Sequence, residues 1–169
     1  MNDDRKKLEN KILWCARQAK GIKLISSNEN LCEAYLKKAN ISLKAMNLSR
    51  DAKIYDWAVD AAYYARYHAV YALLQKFGIK SEIHDCSLML IRFLFSEKLS
   101  EDMLKVIETA KKQRIDLVYY TDRILPEEEI KKNIETAPSF VLTIEKLISE
   151  VNEDMINIIR KELKKTLHQ

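Results

Sequence analysis

A chain of 169 residues has the length of one domain and can bury a core without support from metal or disulfides. Its 47% hydrophobic and 32% charged residues, with only two glycines and two prolines, suit amphipathic helices and argue against a turn-rich β architecture. A net charge of +4 permits contact with nucleic acid but excludes the lopsided charge of a strong electrostatic binder. The three cysteines, Cys15, Cys32 and Cys86, form no CxxC pair and are odd in number, which points away from a disulfide framework or zinc knuckle and toward a reducing cytoplasm. No apolar run approaches the ~18 residues of a membrane span, and the amino terminus, MNDDRKKLENK, has no signal-peptide core. The expected product is a soluble, cytoplasmic, all-α protein.

Taken in order, Leu8, Ile12, Cys15 and Ala19 recur at helical spacing, with Asp3 and Asp4 placed to complement the helix dipole and Gly21 to end the helix. IKLISSNEN reads as a short connection carrying the capping residues Ser26, Ser27 and Asn28. Leu31, Ala34, Tyr35, Ala39, Ser42, Ala45 and Met46 line a second helix, with a turn at 47–51. The stretch from Asp56 to Gly78 is apolar or aromatic nearly all round, the mark of a buried helix. One face is alanine (58, 61, 62, 65, 69, 72) and a second carries Val59, Tyr63, Val70, Leu73, Leu74 and Phe77. A third stripe, Trp57, Asp60, Tyr64, Tyr67, His68, Tyr71 and Gln75, bears polar atoms and reads either as satisfied core or as a lined groove. Gly78 has the position of a C′ glycine.

Beyond it, IKSEIHD reads as a loop and CSLMLIRFLFSE as a short buried helix. Ser100 caps a helix that runs through Leu104, Ile107 and Ile115 and carries Arg114. Pro126 with Glu127, Glu128 and Glu129 starts the next. From Ile130 through Ile134, Ala137, Val141, Ile144, Ile148, Val151 and Met155 to Ile158, apolar residues step by four and three without a slip, a heptad seam with a kink expected at Pro138. A continuous helix over 130–158 would be about 43 Å long, long enough to pack on the first helix or on a second subunit. The basic tail RKELKKTLHQ reads as a fraying end.

The phrases YYARYHAVYALLQKFGI with His84 after it, AYLKKANISLKAM before it, and AKKQRIDLVYYTDR and IETAPSFVLTIEKLI after it together resemble the HEPN domain, in its small stand-alone UPF0332-like branch, over residues 31–147. The resemblance implies an antiparallel bundle of about five to six helices forming one domain over 1–169. In it, 1–27 would be an added helix and linker and 148–169 a carboxy-terminal extension.

Catalytic members of that family are metal-independent RNases, with an arginine four to six residues before a histidine. The arginine binds phosphate and the histidine moves the proton. The matching arginine is Arg114, but Tyr119 or Tyr120 stands where histidine would, and a tyrosine of ordinary pKa near 10 is a poor proton shuttle. Arg114 therefore has two readings, an anion binder or the partner of Asp116 or a nearby glutamate. A five-residue offset sets Tyr119 about 140° round the helix from Arg114, so one helix cannot aim both squarely at one ligand. The family places its motif at a dimer interface, where two Arg114 and two Tyr119–Tyr120 pairs would share a basic, aromatic cleft. His84 matches a histidine of the family branch and, with Asp116, joins the candidate RNA- or ligand-binding residues. His84 and Cys86 make at most half a metal site, so neither metal nor cofactor is expected.

The leading expectation is a homodimeric companion of a small nucleotidyltransferase in a toxin–antitoxin pair, facing RNA or a nucleotide. The alternatives are a degenerate RNase using Arg114 with Tyr119 as catalytic candidates, or a purely structural interaction protein.

Overall fold

The computed structural model describes residues 2–120 and 122–168, with side chains from Arg5 onward; the dipole role read for Asp3 and Asp4 therefore lies outside the described residues. In chain order it comprises α1 (Asn2–Arg17), β1 (Lys23–Leu24), α2 (Glu29–Asp51), α3 (Tyr55–Lys76), β2 (Ile79–Lys80), α4 (His84–Phe95), α5 (Glu101–Tyr119), α6 (Glu127–Ser149) and α7 (Glu153–Leu167). The fold is all-α, with seven helices among the described residues where five to six were expected. The two segments read as loops pair as a short antiparallel ribbon, Lys23 opposite Lys80 and Leu24 opposite Ile79.

The central helix α3 is surrounded by α2, α4, α5 and α6. Its alanine face permits close approach: Ala58 and Ala62 pack with Met46 of α2 and with Ile134 and Ala137 of α6. Its other side sends Val70, Leu73, Leu74 and Phe77 into the main core. The helix closes as expected at Gly78, whose φ of +64° favours glycine. A Cβ there would also meet the Ile25 carbonyl oxygen at 2.5 Å. Asn28 and Ser100 cap α2 and α5 through the backbone N–H groups of Leu31 and Met103.

Five sequence expectations are corrected. Helix α2 continues through 47–51 to Asp51, and the turn into α3 is 52–54, with Lys53 at φ +60°. Helix α6 continues unbroken past Pro138, whose ring lies exposed on the solvent face. The seam breaks instead at 150–152, and α7 resumes on a different face, with Ile159 and Leu163 buried and Ile158 65% exposed. The basic tail is not a fraying end. Arg160 donates from Nη1 to the carbonyl oxygens of Ile25 (2.7 Å), Phe77 (3.0 Å) and Gly78 (2.9 Å), a cation at the carboxyl end of α3 where its dipole favours one. Helix α7 packs on α1, one of the two partners expected for the end of the seam, through Arg5 and Glu162 (2.6 Å).

The fifth correction concerns the cysteines. Cys15 of α1 and Cys86 of α4 form a disulfide across 71 residues, and Cys32 is left free and buried. Their spacing hid the pairing, and the cysteine argument for a reducing compartment falls with it. No helix among the described residues is long and apolar enough to cross a membrane.

A bond closing so long a loop restricts the unfolded chain by about 4 kcal/mol. Titrating thiols in denaturant without reductant should find one per chain, that of Cys32, and adding reductant or substituting Cys15→Ser should lower the melting temperature markedly. Three reactive thiols and an unchanged melt would contradict the bond.

Candidate functional site

Arg114 on α5 and Asp60 on α3 sit opposite one another because α3 is buried along its length and α5 packs across it. Arg114 donates from Nε to Asp60 Oδ1 at 2.8 Å and from Nη2 to the Tyr64 hydroxyl at 3.1 Å. Its side chain keeps 15% exposure and that of Asp60 17%, so the pair is largely desolvated. The guanidinium carbon lies 5.6 Å from the Tyr63 ring centre, 5.1 Å from that of Tyr64 and 5.5 Å from that of Tyr119, within cation–π range of three rings.

The partner read for Arg114, Asp116 or a nearby glutamate, is thus replaced by a residue 54 positions away in sequence. Asp116 is buried at 8% exposure and pairs instead with Arg123, whose guanidinium stacks 4.1 Å from the centre of the Tyr120 ring. The angular argument also needs amendment. Tyr119 is the last residue of α5, and the arginine side chain is long enough to bring its guanidinium beside that ring. Tyr119 remains 65% exposed and Tyr120 45%.

His84 is not in a loop: it is the first residue of α4. No side chain caps that helix and Ile83 holds the N-cap position, so the usual sequence signal for a helix start is missing. The imidazole stacks on Tyr67, with ring centres 3.8 Å apart and planes at 19°, and its Nδ1 shares a 2.8 Å hydrogen bond with the buried Tyr63 hydroxyl. Tyr63 touches both His84 and Arg114, which brings His84, Arg114 and Tyr119 into one cluster. Cys86 is bonded to Cys15, so no thiolate accompanies His84 to complete a metal site, and no cluster of three or more metal-ligating side chains occurs among the described residues.

Burial first, then Arg114 and Lys111, hold the His84 pKa below its ordinary 6.5. Burial also pushes the Tyr63 hydroxyl well up. His84 is therefore neutral at pH 7; in the tautomer that donates Nδ1–H to the Tyr63 oxygen, its Nε2 is free to accept a proton, and Tyr63 itself stays protonated. His68, hydrogen-bonded through Nδ1 to Ser42 at 3.3 Å, is likewise lowered, by burial, Lys38 and His84.

The polar stripe of α3 divides. Asp60, Tyr64 and Tyr67 join this cluster, Tyr71 packs on Tyr35 at 4.6 Å, and Gln75 donates to the Ile79 carbonyl at 3.3 Å. Trp57 is 67% exposed. Sequence reading missed Tyr63, assigned to the volume-filling face, and Arg66, assigned to no face. Arg66 is fully buried, and its signal was an arginine inside an otherwise apolar helix.

A family model described as HEPN domain matches residues 32–162, from the first turn of α2 into α7. No curated protein matches the chain.

Two outcomes follow from this geometry. Arg114→Ala strands Asp60 and should cost roughly 3 kcal/mol, the low end for a buried pair because both side chains keep some exposure. Adding Asp60→Asn should recover part of that loss, a coupling a double-mutant cycle measures by chemical denaturation. Followed by NMR, His84 should titrate below 6.5. Its depressed pKa means that the unfolded chain binds the proton more tightly. Stability should accordingly rise with pH from the folded pKa up to about 6.5, and a midpoint above 6.5 would contradict the buried placement.

Proposed function

The chain belongs to the HEPN domain family, and from that premise we propose that it recognises the phosphate and bases of single-stranded RNA or a nucleotide, as a homodimeric companion of a small nucleotidyltransferase. The observation that carries the recognition is the Arg114 cluster. A guanidinium fixed by Asp60 and Tyr64 lies beside Tyr119, an exposed ring at the end of α5. A fixed cation beside an accessible aromatic face offers a phosphate contact next to a base-stacking surface. The partner and the toxin–antitoxin setting rest on the family resemblance. Dimerisation would double the cluster and bring two such surfaces to one ligand.

A second reading is favoured by one specific feature. The histidine missing from α5 has a counterpart in His84, which enters the same cluster from α4 and is neutral at pH 7. On this reading Arg114 neutralises the scissile phosphate and His84 Nε2 accepts the proton of the attacking ribose 2′-hydroxyl; the 2′ oxygen bonds to phosphorus as the bond to the 5′ oxygen breaks, and that oxygen leaves protonated by water, a metal-independent cleavage.

Light scattering at micromolar concentration should give twice the 19.8 kDa chain mass. Fluorescence anisotropy with a labelled single-stranded RNA should show binding that weakens with salt. Tyr119→Ala with Tyr120→Ala should weaken it about tenfold or more while leaving the melting temperature within a degree or two. A monomer with no affinity for RNA or nucleotides would remove the first reading. Cleavage of the RNA in the presence of chelator, lost in a folded His84→Asn variant, would put the second ahead.

A further inference from the structure

Arg66 lies at the centre of α3 with 0% exposure, and its interactions are unusual for so deeply buried a charge. Nη1 donates to the Ala62 carbonyl at 3.0 Å and to Asn133 Oδ1 at 2.9 Å. Nη2 donates to the Asn133 carbonyl at 2.5 Å and to Thr136 Oγ1 at 2.9 Å. Every acceptor is neutral, and Nε has no partner. The nearest connected carboxylate is three hydrogen bonds away: beyond the bond from Arg66 to Asn133, Asn133 donates to Gln113 Oε1 at 2.6 Å, and Gln113 donates to Glu129 Oε2 at 2.9 Å. Burial alone pulls the Arg66 pKa down to about 10, so it remains charged at pH 7 with no ion-pair partner among the described residues. A buried cation without an anion is costly.

Arg66 and the polar layer over it form the floor of a cavity of about 720 Å³ otherwise lined by α5 and α6 residues, within the size range of small-molecule sites. Lys105 and Lys132 line it beside Asp102 and Glu129. Counting Arg66, three cations face two carboxylates, which leaves one net positive charge. That balance matches a ligand with a single oxyanion group and offers no counter-charge for the further charges of a polyanion, and the carboxylates can accept from hydroxyl groups on the ligand body. The site is distinct from the Arg114 cluster: Gln113 faces the cavity, whereas its neighbour Arg114 reaches α3 at Asp60.

We propose that the cavity between α5 and α6 binds a small hydroxylated molecule bearing one oxyanion, a phosphate monoester or a carboxylate, seated over the buried Arg66. Lys105, Lys132 and the hydroxyls of Thr109 and Thr136 make the direct contacts. Arg66 supplies a fixed field through one layer of amide groups, where low dielectric keeps its attraction strong. The bound anion is the counter-charge that the folded protein otherwise lacks.

The test is an NMR titration of the full chain with inorganic phosphate, ribose 5-phosphate and acetate, following the side-chain amides of Gln113 and Asn133. One of these probes should shift both signals saturably and raise the melting temperature, with phosphate or acetate identifying the oxyanion. Lys132→Glu, at an exposed position, should weaken that binding fivefold or more in a folded protein, and Tyr119→Ala should leave it unchanged. Arg66→Met should abolish it, and if that variant does not fold, Lys132→Glu decides. No saturable shift with any probe, or one that Lys132→Glu does not alter, would overturn the proposal, as would displacement of the signals by single-stranded RNA alone.

Discussion

Burying α3 on nearly every side obliges the polar atoms it carries to find partners within the protein, since water cannot reach most of them. A helix of leucine and alanine would have met that constraint trivially. This one carries Asp60, Tyr63, Tyr64, Arg66, His68 and Gln75, and each recruits a partner from a different part of the chain: Arg114 of α5 for Asp60 and Tyr64, His84 of α4 for Tyr63, Asn133 and Thr136 of α6 for Arg66, Ser42 of α2 for His68, and the Ile79 carbonyl for Gln75. The hydrophobic effect brings the helices together, and these bonds fix which residues meet. Both candidate sites are consequences of satisfying α3.

The same constraint explains what was legible in the sequence. Helix existence and the burial of α3 follow from periodicity and composition, so the alanine face, the caps at Asn28 and Ser100 and the Gly78 terminus could be read directly. Pairings could not. Asp60 and Arg114 are 54 residues apart, Cys15 and Cys86 are 71 apart, and nothing local in either segment marks the other. The heptad steps from Ile130 to Ile158 misled for a related reason. Spacing records distance along the chain, and the turn at 150–152 leaves the count of fours and threes intact while turning the helix axis, so Ile158 faces solvent and Ile159 the core. His84 was read as a loop residue because α4 begins without a side-chain cap.

Helix α5 separates two kinds of electrostatics on consecutive residues. Arg114 is neutralised by Asp60, whereas the Gln113 side passes through amides to a cation that no carboxylate among the described residues neutralises. An ion pair sets geometry and gives up much of its field; an unpaired buried charge keeps its field and gives up stability. The first arrangement suits orienting a donor beside an aromatic surface, and the second suits attracting an anion into a cavity. The side chain of Arg66 holds its position through neutral hydrogen bonds alone, which is what leaves its charge uncompensated.

Pairing with Asp60 also bounds what Arg114 can contribute to recognition. Its Nε–H and one Nη2–H are engaged by Asp60 and Tyr64, so a phosphate arriving at the cluster must use the Nη1 hydrogens with the second Nη2 hydrogen or displace one of these acceptors. The free hydrogens leave only the end-on fork, and the nearby carboxylate opposes the incoming charge. Displacing Asp60 strands a carboxylate in a site where burial makes that costly. On either route one cluster offers geometry more than affinity. The guanidinium is already ordered, so little entropy is lost on binding, but the net attraction per site is small. Tight binding then requires either that Tyr119 and its neighbours add stacking energy or that two copies act on one strand, where the second contact forms at a high effective concentration. That requirement is a physical reason, independent of family habit, for this chain to work as a dimer if RNA is its ligand.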